Sequence, residues 1–125
     1  MEKNEILKLL SLPDVNERLD NLEVLLRSEP KPTPLPMYAN NHIHTTYSFS
    51  PYTPTAAVYF AREAGLLTAG IMDHDSIGGG DEFRRAGELA GIGTTCGLEC
   101  RISLAQTPIW DKKTNSPDQR GMAYM

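Results

Sequence analysis

Between Tyr38 and Ser103 short apolar stretches alternate with helical ones, and the first two apolar stretches each run into a polar cluster. An order of strand, helix, strand, helix, strand leaves few topologies open, and it predicts an α/β fold built on a parallel sheet with right-handed crossovers. Tyr38 to Thr45 reads as the first strand. Thr53 can cap a helix that has Pro54 at its first position, runs through Ala56-Ala57-Val58-Tyr59-Phe60-Ala61 and stops near Gly65. Leu66 to Met72 is the second strand, followed by Asp73-His74-Asp75. Gly78-Gly79-Gly80 forms a loop, Asp81 to Ala90 a second helix with Gly91 as its stop, and Ile92 to Ser103 a third strand region interrupted by Gly93 and Gly97. The tail from Gln106 to Met125 is polar, contains Pro108 and Pro117, and reads as loop.

Residues 1–28 have a different character. Val15, Leu19, Leu22, Leu25 and Leu26 recur at the spacing of one helical face. Asp14 after Pro13 is a suitable N-cap, with Glu17 three residues on in the manner of a capping box. Glu5 to Leu10 forms a further turn or two. The apolar stripe must bury against something, so this segment is an accessory helical hairpin. Pro30, Pro32, Pro34 and Pro36 then alternate through residues 29–37, and proline at every second position makes an extended polyproline-like connector. Three parts follow: a helical extension (1–28), a linker (29–37) and the main domain (38–125).

Composition narrows the function classes. Twelve Lys+Arg against 16 Asp+Glu give a net charge of −4 over 125 residues, without the basic stripe of a sequence-independent nucleic-acid binder. No apolar run approaches a membrane span of about 18 residues. The two cysteines, Cys96 and Cys100, stand too close together for a disulfide framework and lack the second pair of a zinc ribbon. They read as small buried apolar residues in a reducing, cytoplasmic compartment. A whole eight-stranded barrel of about 250 residues exceeds this length.

All three histidines, His42, His44 and His74, fall at the C-terminal ends of predicted strands, the edge where parallel α/β folds place active sites. In His42-Ile43-His44 the two imidazoles project to one face of the strand while Ile43 packs the other way. Such a pair can ligate Zn²⁺, Mn²⁺ or Fe²⁺, or be two surface histidines. In Asp73-His74-Asp75 a carboxylate can orient the ligating ring; alternatively Asp75 or Ser76 caps the next helix. Glu99, in Cys96-Gly97-Leu98-Glu99-Cys100, is an acid among apolar neighbours and suits a cation bridge.

Together, His42-Ile-His44-Thr-Thr-Tyr-Ser48, Ile71-Met-Asp73-His74-Asp75-Ser76-Ile-Gly78 and Gly97-Leu-Glu99 resemble the first three motifs of the PHP (polymerase and histidinol phosphatase) family, in order and in spacing over about seventy residues. The resemblance implies a distorted (β/α)7 barrel, of which this chain holds the first three or so βα units, with divalent metals (Zn, Mn, Fe or Mg) at its C-terminal rim. It implies that His42 and His44 ligate one metal, that Glu99 bridges two, and that His74 ligates a further one with Asp73 beside it as a supporting residue. Phe49 departs from the pattern: the family carries Asp or His directly after the motif serine, and phenylalanine cannot ligate a cation. The family also draws later ligands from further strands, whereas no histidine follows His74; these 125 residues are therefore expected to be the first part of a longer protein. The N-terminal helices have no counterpart in the common PHP core.

The function expected on this resemblance is metal-dependent hydrolysis of a phosphate mono- or diester, of a phosphorylated small molecule or a nucleotide. The alternatives are a degenerate PHP-like module that binds metal or a partner without hydrolysis, which Phe49 favours, and a metal-dependent amidohydrolase, which shares the His-x-His. Arg101, two residues beyond Glu99, can meet a substrate phosphate if the strand continues, or form a structural ion pair. Arg62, Arg84 and Arg85 are expected on solvated helix faces. The triple glycine is an ordinary loop or a phosphate cradle at a helix N-terminus.

Overall fold

The caps written into the sequence set the helix boundaries. In the computed structural model, which describes residues 1–34, 38–116 and 118–125, helix α1 spans Lys3–Leu9 and α2 spans Val15–Ser28. The Asp14 carboxylate accepts hydrogen bonds from the backbone N–H groups of Asn16 and Glu17, satisfying two donors at the start of α2. Of the proline run, Pro36 lies outside the described residues, as does Pro117 of the tail.

Strand β1 (Ala39–Ile43), helix α3 (Pro54–Glu63), strand β2 (Thr68–His74), helix α4 (Gly80–Ala90) and strand β3 (Gly93–Glu99) then follow in the expected order. Thr53 caps α3 through its side chain, with Pro54 at the first position. Gly91, at φ 67°, ends α4 in the left-handed conformation that glycine adopts without strain. The three strands form one parallel sheet in the order β1-β2-β3. Three parallel strands joined by two crossover helices make an α/β fold, consistent with part of an α/β barrel.

Strand alternation divides the sheet into two faces. Ala69 and Ile71 of β2 point toward the helices and are buried with Ala56, Val58, Phe83 and Ala86. Gly70 and Met72 point the other way, where a Cβ on Gly70 would meet the Thr95 hydroxyl and the Asn41 backbone, and one on Gly97 would meet the Met72 side chain. The N-terminal hairpin closes the helical layer from outside. Ile6, Leu10, Leu19, Leu22 and Leu25 join the same core as α3 and α4. The Arg18 guanidinium grips the Glu82 carboxylate at 2.9 and 2.7 Å, and Glu82 also accepts from the Thr55 amide and hydroxyl. No described helix is long and apolar enough to cross a membrane.

Four local expectations need correction. The third strand region is broken at Cys100: β4 (Arg101–Ser103) leaves the sheet and pairs antiparallel with β5 (Met122–Tyr124), so the tail is not all loop. Cys100 and Met125 exchange both backbone hydrogen bonds beside that ribbon. Cys96 is exposed and Cys100 half-buried, because β3 is an edge strand and α4 covers only part of its helix-facing side. Arg62 is buried, since Lys31, Pro32 and Pro34 lie across the end of α3 where it sits. Arg84 is exposed and pairs with Asp81 and Glu88 on its own helix, and the half-exposed Arg85 reaches Asn16 of α2.

Candidate metal centre

The C-terminal ends of β1, β2 and β3 bring four donor side chains together on the sheet face away from the helices. In the parallel register His74 stands directly opposite Glu99. His42 occupies the next strand, and His44 follows just beyond it. The Nε2 atoms of His42 and His74 each lie 3.0 Å from Glu99 Oε2, and that of His44 lies 3.8 Å away. The rings pack edge to face, with centroids 5.0 Å apart for His42 and His44 and 4.6 Å for His44 and His74. Ile43, between the two ligating positions, packs against the helical core, as strand alternation requires.

These residues fit a divalent cation. Ligand atoms of His42, His44 and Glu99 all lie within 4.8 Å of one another. The Nδ1 atoms of His44 and His74 are buried without any hydrogen-bond partner. A neutral imidazole carries one N–H and one lone pair. If the proton sits on Nε2 toward Glu99, Nδ1 keeps a buried lone pair without a donor. If it sits on Nδ1, the Nε2 lone pair faces the carboxylate. Leaving such a group unmet costs about 1–3 kcal/mol, and a cation held by these rings would redistribute the protons. Three imidazoles and one carboxylate are a donor set for Zn²⁺, Mn²⁺ or Fe²⁺ in preference to Mg²⁺, which favours oxygen.

Asp73 is not brought to the His74 ring. It is 1% exposed and faces the helical side, where its carboxylate accepts from the Thr45 amide at 2.6 Å, the Thr45 hydroxyl at 2.6 Å and the Ser48 hydroxyl at 2.5 Å. The expectation of a carboxylate supporting that ring is therefore replaced. Asp73 anchors the loop that leaves β1, and so acts on the backbone next to His44.

Arg101 is likewise engaged elsewhere. The strand break at Cys100 turns it toward Asp75, which accepts from the Arg101 amide at 2.9 Å and pairs with its side chain Nε. Those two contacts hold the Asp75 carboxyl below the usual carboxylate range, the backbone hydrogen bond being the larger cause. Asp75 adopts φ 53°, an uncommon left-handed conformation that aspartate tolerates better than most residues. Its amide donates to the Glu99 carbonyl, tying the ends of β2 and β3. Asp75 is thus a brace between strands and not a helix cap. The N-cap of α4 is Gly79, without a side-chain cap, while the Ser76 hydroxyl accepts from the Gly78 amide.

The triple glycine meets a packing requirement. A Cβ on Gly78 or Gly79 would lie 2.8–3.0 Å from the Tyr47 ring, and one on Gly80 2.7 Å from Cys96 Sγ. Two aromatic residues complete the rim. Phe49 stands perpendicular to His74 with centroids 4.7 Å apart, and Tyr124 of β5 packs on the same imidazole at 4.8 Å. Tyr124 carries no sequence signal for this position, since it lies fifty residues from His74. Thr45 and Ser48 did carry one: two hydroxyls just after a His-x-His can meet a buried acid.

No protein-family model matches the chain, and no curated protein matches it either. Among solved structures, it is similar to a putative metal-dependent phosphoesterase from Bifidobacterium adolescentis, with 34% identity and a TM-score of 0.50 over 59% of this chain and 24% of that one. The chain thus spans about a quarter of the length of that protein. In this chain the strand ends carry His42, His44 and Glu99 as a group that could hold a metal ion.

Proposed function

We propose that this chain supplies the first metal-binding strands of a PHP-type phosphoesterase, with His42, His44, His74 and Glu99 as metal ligands. The observation that carries this reading is the convergence of three imidazole Nε2 atoms on one oxygen of Glu99, at 3.0, 3.0 and 3.8 Å. The similar solved structure, of a putative metal-dependent phosphoesterase, supports the phosphoesterase part of this reading. A bound divalent cation in such a site lowers the pKa of a coordinated water and neutralises phosphate oxygens. The chain's own residues hold the donors in place: Glu99 and His74 by strand register, His44 by the Asp73–Thr45 anchor, and the ends of β2 and β3 by Asp75. The substrate is a phosphorylated small molecule or a nucleotide, and the two free cysteines fit a cytoplasmic protein.

The test is metal content by elemental analysis together with hydrolysis of bis(p-nitrophenyl) phosphate. Stoichiometric zinc, manganese or iron, lost in His42→Ala and Glu99→Gln together with turnover, is the expected result. Stoichiometric metal without turnover replaces the enzyme reading with a metal-binding module, which Phe49 at a non-ligating position beside His74 favours. Failure to bind any of the three metals overturns both.

A further inference from the structure

Phe49 is 75% exposed, although it belongs to a turn that is firmly pinned. The residues on either side of it, Ser48 and Ser50, both donate their backbone N–H to the Thr45 carbonyl, at 2.9 and 3.2 Å. Ser48 is further held by its hydroxyl on the buried Asp73 carboxylate, and Thr45 itself is fully buried. The turn therefore presents the phenyl ring outward at a fixed place. That place is one imidazole away from Glu99, since Phe49 packs edge to face on His74, whose Nε2 reaches the carboxylate. Tyr124 packs on the same imidazole, with ring centroids 4.8 Å apart. An apolar ring kept in water forgoes the stabilisation of burial. An exposed ring carried on this hydrogen-bonded turn, next to the His/Glu cluster, offers a stacking face instead.

Resting on the phosphoesterase reading, we propose that Phe49 is a specificity residue. It stacks on a planar aromatic group, a nucleobase or an aryl ring, carried by the phosphate ester whose phosphate lies at the His42/His44/His74/Glu99 cluster. The stacking partner has to be planar and π-rich, because an edge-to-face or offset aromatic contact is what one outward phenyl ring adds beyond simple apolar burial. It reads no base edge, so the preference is for an aromatic ring over an alkyl group and not for one base over another.

Two matched pairs of probes test it by calorimetric titration of the zinc-loaded protein: uridine 5′-monophosphate against ribose 5-phosphate, and phenyl phosphate against ethyl phosphate. A base or ring stacked on an aromatic side chain accounts for about 1–3 kcal/mol, or roughly a five- to 160-fold tighter binding of the aromatic member. The expected result is such a ratio in at least one pair, its collapse toward unity in Phe49→Ala, and its retention in Phe49→Tyr. The pair with the larger ratio identifies the source of the ring. Zinc content of each variant is measured alongside, so that a disturbed cluster is told apart from a lost ring. A ratio near unity in both pairs for the unaltered protein, or a ratio that survives in Phe49→Ala, overturns the assignment while leaving the phosphoesterase reading in place. If none of the four phosphates binds the zinc-loaded protein, the assignment falls, and hydrolysis of bis(p-nitrophenyl) phosphate decides the phosphoesterase reading separately.

Discussion

Replacing Asp73 separates a residue that positions the metal centre from one that takes part in it. Asp73→Ala removes the common acceptor of three donors: the Thr45 amide, the Thr45 hydroxyl and the Ser48 hydroxyl. Ser48 is half-exposed and can turn to water. The two Thr45 groups cannot, because that residue has no exposure at all. Their loss dominates at about 1–3 kcal/mol for each unmet donor, less what hydroxyl rotation recovers, so about 3 kcal/mol in total. An unfolding entropy of about 2.1 cal/mol/K per residue gives a chain of this length about 0.26 kcal/mol/K, so Tm falls by roughly 12 °C. Asp73→Asn keeps an oxygen for the Thr45 amide and should lose less than half of that.

The metal-free protein is the right sample for this melt, followed by circular dichroism, because ligation cannot then mask the loss. Zinc affinity is then measured by calorimetry at a temperature where both variants are folded. Thr45 is the next residue after His44, so loosening its anchor should weaken zinc binding about 10–100-fold, the range found when a group supporting a ligand is removed. A Tm within 2 °C of the unaltered protein in Asp73→Ala would refute the anchoring role. Unchanged stability with complete loss of zinc in Asp73→Asn would mean that the carboxylate is itself a ligand.

Other expectations follow from the same contacts. Arg18→Met leaves the Glu82 carboxylate buried without its cation, a loss of about 3–5 kcal/mol. Adding Glu82→Gln should return at least 1 kcal/mol, whereas simple additivity in the melts would show that the pair is not coupled. Zinc at 100 times its Kd stabilises a protein that binds only when folded by about 2.7 kcal/mol, so chelation should lower Tm by roughly 10 °C, and by far less in Glu99→Gln. Tyr59 has its hydroxyl raised above the usual tyrosine pKa, first by burial and then by its hydrogen bond to Glu29. The neutral phenol is the form the fold prefers, so its contribution is whole below pH 10 and declines above it as the unfolded chain ionises. Chemical denaturation from pH 9 to 11.5 should show a steeper fall for the unaltered protein than for Tyr59→Phe, and parallel curves would discount the shift.

Much of the scaffold was legible because its boundaries are local. Asp14, Thr53 with Pro54, and Gly91 each fix a helix end through a bond or a backbone angle within a few residues. The features without a local signal depend on contacts that cross the chain. β5 is three residues long and gains its partner only when the 104–121 segment returns it to β4, so its composition alone carries little pattern. Arg62 is a solvated arginine by sequence and a buried one by virtue of the proline segment lying over it. Cys96 has strand-like neighbours, but an edge strand with a partly covered face leaves it in water.

The misplacement of Asp73 has a different origin, because the needed signal was present. Period-two alternation on a strand puts His42 and His44 on one face. The same rule, applied to Asp73 and His74, puts them on opposite faces once β2 is allowed to run through His74. A strand that ends at Met72 leaves both residues outside that rule, free to stand side by side. With β2 extended to His74, the sheet sorts its chemistry by parity. His42, His74 and Glu99 look away from the helices, with His44 beside them. Ile43, Ile71 and Asp73 look toward them. The anchor and the ligands are adjacent in sequence and separated by the thickness of the sheet. A loop held from the buried side can therefore present His44 and Phe49 on the open side without placing a second carboxylate in competition with Glu99 for the same imidazoles.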